Sequence, residues 1–259
     1  MPQFSATIIT HNEAANIARA LRSLACADEV VVVDSASTDD TREIAAGLGA
    51  RVIIHPWEGF ATQKNFASAQ AQHEWILSLD ADEELDAQAQ ASVRHWKESN
   101  PAAVGYRFAR RAQYLGRWIV HSGWYPDYKL RLFDRRRARW QGAYVHESVI
   151  ANGPVETLGG EILHYTCASL EEHHQRIEFY TDLAAKEMFD RGESAGWLSR
   201  LFAPLCAFFH AYFLKLGVLD GHQGLLIALM AARYVRRKHF KYARMRTRAE
   251  KASRNEFRG

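Results

Sequence analysis

The sequence has few cysteines, and none of them form a pair. Its 259 residues contain three, Cys26, Cys167 and Cys206, with no CxxC motif. An odd, scattered set argues against a disulfide framework and a thiolate zinc site, and it is typical of a reducing compartment. The first residues, MPQFSATIIT, carry no basic stretch followed by an apolar run. No secretory signal is therefore visible, and a cytoplasmic location is expected.

Several common ligand-binding motifs are also missing. No GxGxxG follows the first apolar run and no GxxxxGK[ST] occurs, so the usual dinucleotide and P-loop signatures are excluded. The segment beginning at Asp80 fails as an EF-hand loop, because Leu85 stands where that loop needs glycine and Ala91 where it needs glutamate. HESVI lacks the second histidine of HExxH, which excludes a zinc protease.

Long uncharged apolar runs are absent as well. A membrane-spanning helix needs about 18 or more such residues, but the most apolar region, 196–232, is interrupted by Arg200, Pro204, His210 and Lys215. Residues 233–259 then hold 11 of the 33 Lys and Arg residues and only 2 of the 30 Asp and Glu residues. A helical hairpin in a membrane interface, with its basic tail on anionic lipid, explains both features. A pair of core or dimer helices followed by a solvated basic helix is the alternative.

Residues 1–100 alternate short β-branched runs with helical stretches. The apolar runs are FSATIIT, EVVVVD, RVIIH and WILSLD, and the helical stretches include REIAAGLGA and ATQKNFASAQA. Runs without polar alternation are expected of strands buried on both faces, and their interleaving with helices predicts a parallel sheet. The predicted fold class is α/β, with a mostly parallel central sheet and flanking helices. Ligands of such sheets bind beyond the carboxyl ends of the strands.

Polar side chains collect at three of these strand ends. They are Thr10, Asn12 and Glu13 after the first strand, Asp34 and Ser37 after the second, and Asp80, Asp82 and Glu83 after the fourth. Taken singly, each is explained as a helix cap or as part of an acidic first helical turn. Together, carboxylates at one edge would repel each other unless a cation or a donor-rich ligand joined them. Hard carboxylate oxygens favour Mg²⁺ or Mn²⁺, and a diphosphate-bearing substrate is the natural partner.

The combination of TIITHNE, VVVDSASTDDT, GFATQKNFA and LSLDADEE resembles family 2 glycosyltransferases of the A-type nucleotide-sugar fold. Within that family, YKLRLF, GAYVHE, LHYT and GVLDGHQG resemble bacterial lipopolysaccharide inner-core β-1,4-glucosyltransferases that act on heptose. We therefore predict a catalytic domain over 1–170, with a nucleotide-sugar-binding half in 1–100 and an acceptor-side half in 101–170. A helical extension over 171–259 would follow. The resemblance implies an inverting, metal-dependent transfer of glucose from UDP-glucose to a membrane glycolipid.

The resemblance also implies roles for individual residues. Those expected to bind the nucleotide sugar are Thr10, Asn12, Glu13, Asp34, Ser37, Lys64, Asn65, Asp80, Glu83 and Arg131. Those expected to hold Mn²⁺ or Mg²⁺ are Asp82 and Asp80, with His164 as a third ligand or, alternatively, as a packed residue.

An inverting transfer also needs a base that removes the proton of the acceptor hydroxyl. Glu147 is preferred for this role, because the resembled subgroup carries a His-Glu pair there, and Asp127 is the other candidate. The histidines of EEHHQ are interpreted as surface residues without a chemical role.

The residues leave other functions open. One alternative is transfer of another hexose to a different glycolipid, to polyprenyl phosphate or to a protein; another is a non-catalytic membrane scaffold of the same fold. A nucleotidyltransferase is disfavoured, because THNEAAN is not a glycine-rich loop with Lys or Arg. A nucleic-acid partner would depend on the basic tail alone and is not expected. The favoured location is peripheral, on the inner face of the bacterial inner membrane, and the question of a homo-oligomer is open.

Overall fold

The computed structural model describes residues 1–142, 147–193 and 196–256. The chain forms two compact units: one is Met1–Gln113 with Pro126–Thr166, and the other is Tyr114–Tyr125 with Cys167–Gly259. The division at Thr166 lies close to the predicted boundary at residue 170. No sequence pattern had pointed to the assignment of Tyr114–Tyr125 to the second unit.

The first part of the chain alternates strands and helices. Its elements are β1 (Phe4–Thr10), α1 (Ile17–Ser23), β2 (Glu29–Asp34), α2 (Thr41–Gly47), β3 (Arg51–Ile54), α3 (Phe60–Gln70), β4 (Trp75–Asp80), β5 (Glu83–Leu85) and α4 (Ala87–Glu98). β1 pairs in parallel with β2 and β4, and β2 pairs in parallel with β3. Every residue of β1 is buried, as expected of a strand that is covered on both faces. The predicted α/β arrangement is confirmed for this half of the sheet.

Antiparallel pairings characterise the rest of the described chain. Its strands are β6 (Gly105–Tyr114), β7 (Arg117–Trp118), β8 (Asp127–Asp134), β9 (Ala138–Gln141), β10 (Ser148–Ala151) and β11 (Val155–Cys167). The main sheet follows the order β3-β2-β1-β4-β8-β6-β11-β5, and β9 and β10 form a separate hairpin. β8 runs antiparallel to β4 and to β6, and β11 runs antiparallel to β5. The sheet is therefore mixed, and its parallel half alone had a clear sequence pattern.

Close packing is evident at two places in the first unit, one in β4 and one in β11. Ile76, Leu77 and Leu79 are fully buried, so the strand delivers Asp80 rigidly to the sheet edge. β11 also comes very close to the start of α4 at Gly160, which has φ +84°. A Cβ atom there would lie 2.0 Å from the backbone nitrogen of Ala89, so only glycine permits this approach.

The second unit is mainly helical. It contains α5 (Leu170–Asp190), α6 (Trp197–Phe209), a π-helical turn over His210–Leu214, a 3₁₀ turn over Gly217–Asp220 and α7 (Gly221–Glu256). α7 continues without a break through residue 233, so the predicted apolar hairpin and basic tail share one helix. Glu178 of α5 pairs with Arg237 of α7 at 2.6 Å and with Lys241 at 3.1 Å.

Asp220 ties the inserted segment Tyr114–Tyr125 to the helices of this unit. Its side chain is fully buried and accepts hydrogen bonds from the backbone nitrogen of His121 at 3.1 Å and from the hydroxyl of Ser122 at 2.9 Å. The Nδ1 atom of His121 lies 3.2 Å from the same carboxylate. These contacts satisfy a buried carboxylate that would otherwise be costly to desolvate.

Candidate active site

Asp80 lies at the centre of the candidate site. It is the last residue of β4, and the strand order places β8 directly beside it. Lys64 of α3 donates to its carboxylate with an N–O distance of 2.8 Å, and Arg131 of β8 does so at 2.9 Å. Both cations are almost completely buried. The predicted neighbours Lys64, Asp80 and Arg131 are thus brought together by three different elements.

The contacts extend into a chain of charges that alternate in sign. In order these are Glu147, Lys64, Asp80, Arg131, Glu83, Arg110, Asp127 and Lys129, and successive N–O distances are 3.5, 2.8, 2.9, 2.7, 3.0, 2.7 and 3.0 Å. These eight side chains, four acidic and four basic, have no net formal charge. Mutual pairing explains how charges as deeply buried as those of Glu83 and Arg131 are tolerated. Both candidate bases, Glu147 and Asp127, belong to this chain.

The cations keep the central carboxylate ionised. Burial acts to raise the pKa of Asp80, but the charges of Lys64 and Arg131 outweigh burial and hold this pKa well below its usual value. Burial likewise acts to lower the pKa of Arg131, and the carboxylates of Glu83 and Asp80 more than reverse that effect. At neutral pH Asp80 and Arg131 are therefore both charged.

The two candidate bases differ in how strongly they are neutralised. Arg110 and Lys129 hold the carboxylate of Asp127 at 2.7 and 3.0 Å, and against the effect of burial they lower its pKa. A carboxylate with a lowered pKa is a weaker proton acceptor. Glu147 lies farther from its cation, at 3.5 Å from Lys64, and its side chain is 21% exposed. The geometry thus favours Glu147. Residues 143–146, which include the histidine of the predicted His-Glu pair, lie outside the described residues.

Asp82 and His164 form the second feature of the site. The antiparallel register of β5 and β11 sets His164 opposite Glu83, and the Nε2 atom of His164 lies 3.2 Å from Oδ2 of Asp82. The backbone nitrogen of Tyr165 also donates to the carbonyl oxygen of Asp82 at 2.9 Å, which fixes the turn. The predicted ligands Asp82 and His164 are therefore close together, whereas the predicted ligand Asp80 is engaged by Lys64 and Arg131.

This donor set fits one kind of metal ion. Within the described part of the chain, no group of three or more His, Cys, Asp or Glu side chains is placed to hold a metal. Mg²⁺ and Mn²⁺ commonly use one or two carboxylates and complete their coordination with water and substrate phosphates, and an imidazole is also acceptable to Mn²⁺. Asp82 and His164 thus fit an ion whose remaining ligands come from a diphosphate, and they do not fit a closed structural zinc site.

The loops after β1 and β2 bind each other. Asn12 adopts a left-handed conformation with φ 55°. Its side-chain oxygen accepts a hydrogen bond from the backbone nitrogen of Thr38, and its backbone nitrogen donates one to the hydroxyl of Ser37, both at 2.8 Å. Asp34 is fully buried and accepts hydrogen bonds from the backbone nitrogen and hydroxyl of Ser37. The hydroxyl of Thr10 is buried and has no hydrogen-bond partner among the described residues. These contacts preorganise the crevice at the ends of the two strands.

Two other predicted residues make local contacts. The backbone nitrogen of Glu13 donates to the hydroxyl of Thr41, and its carboxylate accepts from Asn16 at 2.7 Å. Asn65 donates to the carbonyl oxygen of Trp140 at 2.9 Å and accepts from its backbone nitrogen at 3.0 Å. The ring of Trp140 in turn lies 4.3 Å from the ammonium of Lys64, a cation–π distance. Asn65 therefore positions the aromatic ring beside Lys64.

Sequence reasoning missed Arg110. It lies in β6, whose sequence GYRFARRAQY contains three arginines. Arg110 bridges Glu83 and Asp127, whereas its neighbour Arg111 pairs with Glu161 at 2.7 Å. Neighbouring strand residues point to opposite faces, so the pattern indicates that the two arginines separate, but it does not indicate which one faces the site.

Comparisons with known proteins identify a family and a fold. Residues 5–155 match the model of Glycosyl transferase family 2. An uncharacterized glycosyltransferase of Rickettsia prowazekii is 31% identical over 244 residues, covering 90% of this chain and 84% of that protein. The lipopolysaccharide core biosynthesis glycosyltransferase LpsC of Rhizobium meliloti is 29% identical over 254 residues, covering 93% of this chain and 94% of that protein.

A comparison with solved structures identifies the fold. The mannosyltransferase PcManGT from Pyrobaculum calidifontis, in complex with GDP-Man and Mn²⁺, matches with a TM-score of 0.54. The match covers 93% of this chain and 87% of that chain, at 16% sequence identity. At this identity the likeness shows the fold alone.

Proposed function

Since this chain belongs to glycosyl transferase family 2 and has the A-type fold, we propose that it transfers a hexose from a nucleotide sugar to a lipopolysaccharide core sugar. UDP-glucose is the proposed donor, and an inner-core heptose of a membrane glycolipid is the proposed acceptor. The name of the Rhizobium meliloti relative, which refers to lipopolysaccharide core biosynthesis, supports the acceptor class. UDP-glucose is the donor implied by the sequence resemblance to the inner-core glucosyltransferases.

The observation that carries the proposal is the pairing of Asp82 with His164 beside the charged array at the end of β4. Their 3.2 Å approach offers a carboxylate oxygen to Mn²⁺ or Mg²⁺ and an imidazole nitrogen as a further ligand for Mn²⁺. When bound, such an ion supplies positive charge that stabilises the departing nucleoside diphosphate. Lys64 and Arg131 fix Asp80 nearby, so this carboxylate is held in one orientation for contacts with the nucleotide.

In the proposed reaction the acceptor hydroxyl gives its proton to the carboxylate of Glu147. The oxygen of the acceptor hydroxyl then forms a bond to the anomeric carbon, while the bond from that carbon to the diphosphate oxygen breaks on the opposite face. The configuration at the anomeric carbon is therefore inverted. Lys64, which lies between Glu147 and Asp80, keeps Glu147 oriented without the close double pairing found at Asp127.

The decisive experiment measures release of nucleoside diphosphate from a panel of nucleotide sugars. Purified protein is assayed with Mn²⁺, with and without truncated core glycolipids, beside Asp82→Asn. Asp28→Asn is the matched control, since Asp28 precedes β2 at the opposite strand ends and pairs with Lys97. We expect acceptor-dependent release of UDP from UDP-glucose, a large loss for Asp82→Asn and little change for Asp28→Asn.

Other results of this assay would change the proposal. Undiminished activity of Asp82→Asn would remove the metal assignment. A preference for UDP-galactose or UDP-N-acetylglucosamine would replace the donor. If the protein releases nucleoside diphosphate from none of the sugar nucleotides, a non-catalytic scaffold is favoured.

A second pair of variants separates the candidate bases. We expect Glu147→Gln to lower kcat by roughly 10²- to 10⁴-fold, the usual contribution of general base catalysis. Asp127→Asn should lower kcat less, because Arg110 and Lys129 already neutralise that carboxylate. If the Asp127 variant alone is impaired, the roles are reversed.

We propose further that the enzyme works as a peripheral protein on the inner face of the bacterial inner membrane. A membrane glycolipid acceptor requires the site to approach a lipid surface, and the basic end of α7 suits anionic headgroups. Removal of the residues after Arg233 should then weaken binding to anionic vesicles. If this deletion abolishes binding to DNA or RNA instead, the basic end is a nucleic-acid-binding element.

A further inference from the structure

The outer face of α6 and of the following turn is apolar and exposed. The side chains concerned are between 50% and 76% exposed: Leu201, Phe202, Leu205, Phe209, Phe213 and Leu214. Their spacing repeats after about one helical turn, so they form one continuous stripe. We refer to these six residues as the α6 apolar face.

The opposite side of the same helix accounts for its packing. Ala203 and Ala207 of α6 are intermediate in burial, Ala211 of the following turn is buried, and α6 packs against α7 within this unit. The α6 apolar face is therefore what remains exposed after the helices have packed. Of the alternatives left by the sequence, a pair of core helices does not describe this side of α6.

The charges around the stripe indicate what covers it. Leu216, Val218 and Leu219 extend the exposed apolar surface through the next turn, and they are 46% to 58% exposed. Between Arg200 and Leu219 the sequence contains no Asp or Glu, and Asp220 is fully buried. An exposed surface of Phe and Leu without acidic groups, followed by a strongly basic helix, complements an anionic phospholipid surface.

We propose that the α6 apolar face inserts shallowly into the interface of an anionic phospholipid bilayer and is the main membrane anchor of this chain. The inference rests on the proposed function, in which the acceptor is a membrane glycolipid. It shifts the anchor from the basic end of α7, which adds electrostatic attraction, to the exposed side chains of α6. An interfacial helix buries its apolar face by roughly 5–10 Å, to the depth of the headgroup and acyl-chain boundary.

The shape of the region suits insertion along the surface. No described helix is by itself long and apolar enough to cross a bilayer; Arg200–Leu214 and Gly217–Ala249 pass that test only together, with a 72° bend between them. Arg200, His210 and Lys215 are polar residues next in sequence to members of the α6 apolar face. Their heads can remain at headgroup level while the neighbouring Phe and Leu side chains enter the acyl region.

The test is flotation of the full chain with vesicles of phosphatidylcholine and of phosphatidylcholine mixed with phosphatidylglycerol. The variant is Phe209→Gln, and the control is Phe179→Gln in α5, because the two rings are 56% and 51% exposed. We expect Phe209→Gln to lower the partition coefficient about tenfold, equivalent to about 1.4 kcal/mol. The control should bind as the parent does, and the difference should persist in high salt, which screens only the basic tail.

Further measurements keep the outcomes separate. Thermal unfolding followed by circular dichroism checks that both variants are folded. Equal vesicle binding by Phe209→Gln, Phe179→Gln and the parent overturns the proposal. It is also overturned if sedimentation shows a dimer that Phe209→Gln dissociates while vesicle binding is unchanged, because a second copy would then cover the stripe.

Failure of the anchor can be told from failure of the proposed function. Diphosphate release is measured on a delipidated, water-soluble core acceptor without vesicles. Phe209→Gln should be as active there as the parent. A parent that binds vesicles but releases no diphosphate removes the glycosyl transfer proposal, whereas an active parent that does not bind vesicles removes the anchor.

Discussion

Glu83 is the most enclosed member of the charged chain. Only 1% of the residue is exposed, and its oxygens accept from Arg131 at 2.7 and 2.8 Å, from Arg110 at 3.0 Å and from the backbone nitrogen of Asp80 at 3.1 Å. One carboxylate thus neutralises two guanidinium groups and fixes the turn that follows β4. Its main role in the structure is to hold other site residues in place.

We expect Glu83→Gln to lower the free energy of unfolding by about 3 kcal/mol, because the buried guanidinium of Arg131 and the partly buried one of Arg110 lose their shared counterion and are left with Asp80 and Asp127. Glu84→Gln is the matched control, since Glu84 accepts one hydrogen bond, from Tyr165 at 2.6 Å. The control should cost about 1 kcal/mol. Urea unfolding of both variants gives the comparison, and equal losses would mean that Glu83 does not carry the array.

Asn65 illustrates what a sequence can predict about a single residue and what it cannot. The motif that contains it indicated a functional neighbourhood, and its neighbour Lys64 does lie against Asp80. The amide of Asn65, however, is used by the backbone of Trp140, 75 positions away in the chain. Such a partner depends on the packing of β9 against α3, for which local sequence has no pattern. The expected role of Asn65 beside the nucleotide stays a prediction.

At the scale of elements, the beginning of α5 differs from its sequence interpretation. The histidines of EEHHQ had been interpreted as surface residues, yet the Nδ1 atom of His173 lies 2.8 Å from the hydroxyl of Tyr114. Burial, followed by the nearby His174 and Arg176, lowers the pKa of His173 to about 4. Burial also raises the pKa of Tyr114 to about 12, so both partners are neutral at physiological pH.

This pair predicts a pH dependence of stability. The usual pKa of histidine, 6.5, is lowered to about 4 in the folded chain. Between these values the unfolded chain binds a proton that the folded chain excludes, so the free energy of unfolding falls as the pH falls through this window. His173→Gln should flatten the dependence strongly, whereas His174→Gln should flatten it less, because the burial of His173, the largest cause of its lowered pKa, remains. Urea titrations at several pH values measure the effect, and identical slopes for the two variants would contradict it.

The two halves of the sheet differ in how well sequence predicts them. β1, β2 and β4 are largely buried, so each is a mainly apolar run without regular polar alternation that ends at a polar residue. β6 instead carries arginines inside the sheet, and β8 carries Arg131 there. Because these charges are buried only through partners on other strands, their segments lack the apolar pattern of a core strand. Arg110 lies in β6 of this antiparallel half, and the lack of an apolar pattern there explains why sequence reasoning missed it.

At the scale of the whole molecule, the two compact units are interleaved along the chain. Tyr114–Tyr125 interrupts the first unit in sequence but belongs to the second. Tyr114 and Ile119 are fully buried there, in a cluster with Cys167 and Ile227. The helical extension predicted at 171–259 therefore contains a core that is completed by a much earlier part of the chain.

This interleaving predicts that the domain drawn from sequence, residues 1–170, does not behave as an independent fragment. Without α7 it loses Ile227, and the apolar side chains of Tyr114 and Ile119 become exposed to water. We expect the fragment to aggregate on size-exclusion chromatography.

A matched fragment, 1–166, in which a short Gly/Asn turn replaces residues 114–125, should be soluble. β6 and β8 are antiparallel neighbours with Arg110 opposite Asp127, so a tight turn can join them. If the unmodified fragment is soluble and monomeric, the inserted segment does not need the C-terminal helices, and the sequence-based division at residue 170 is the better description of the chain.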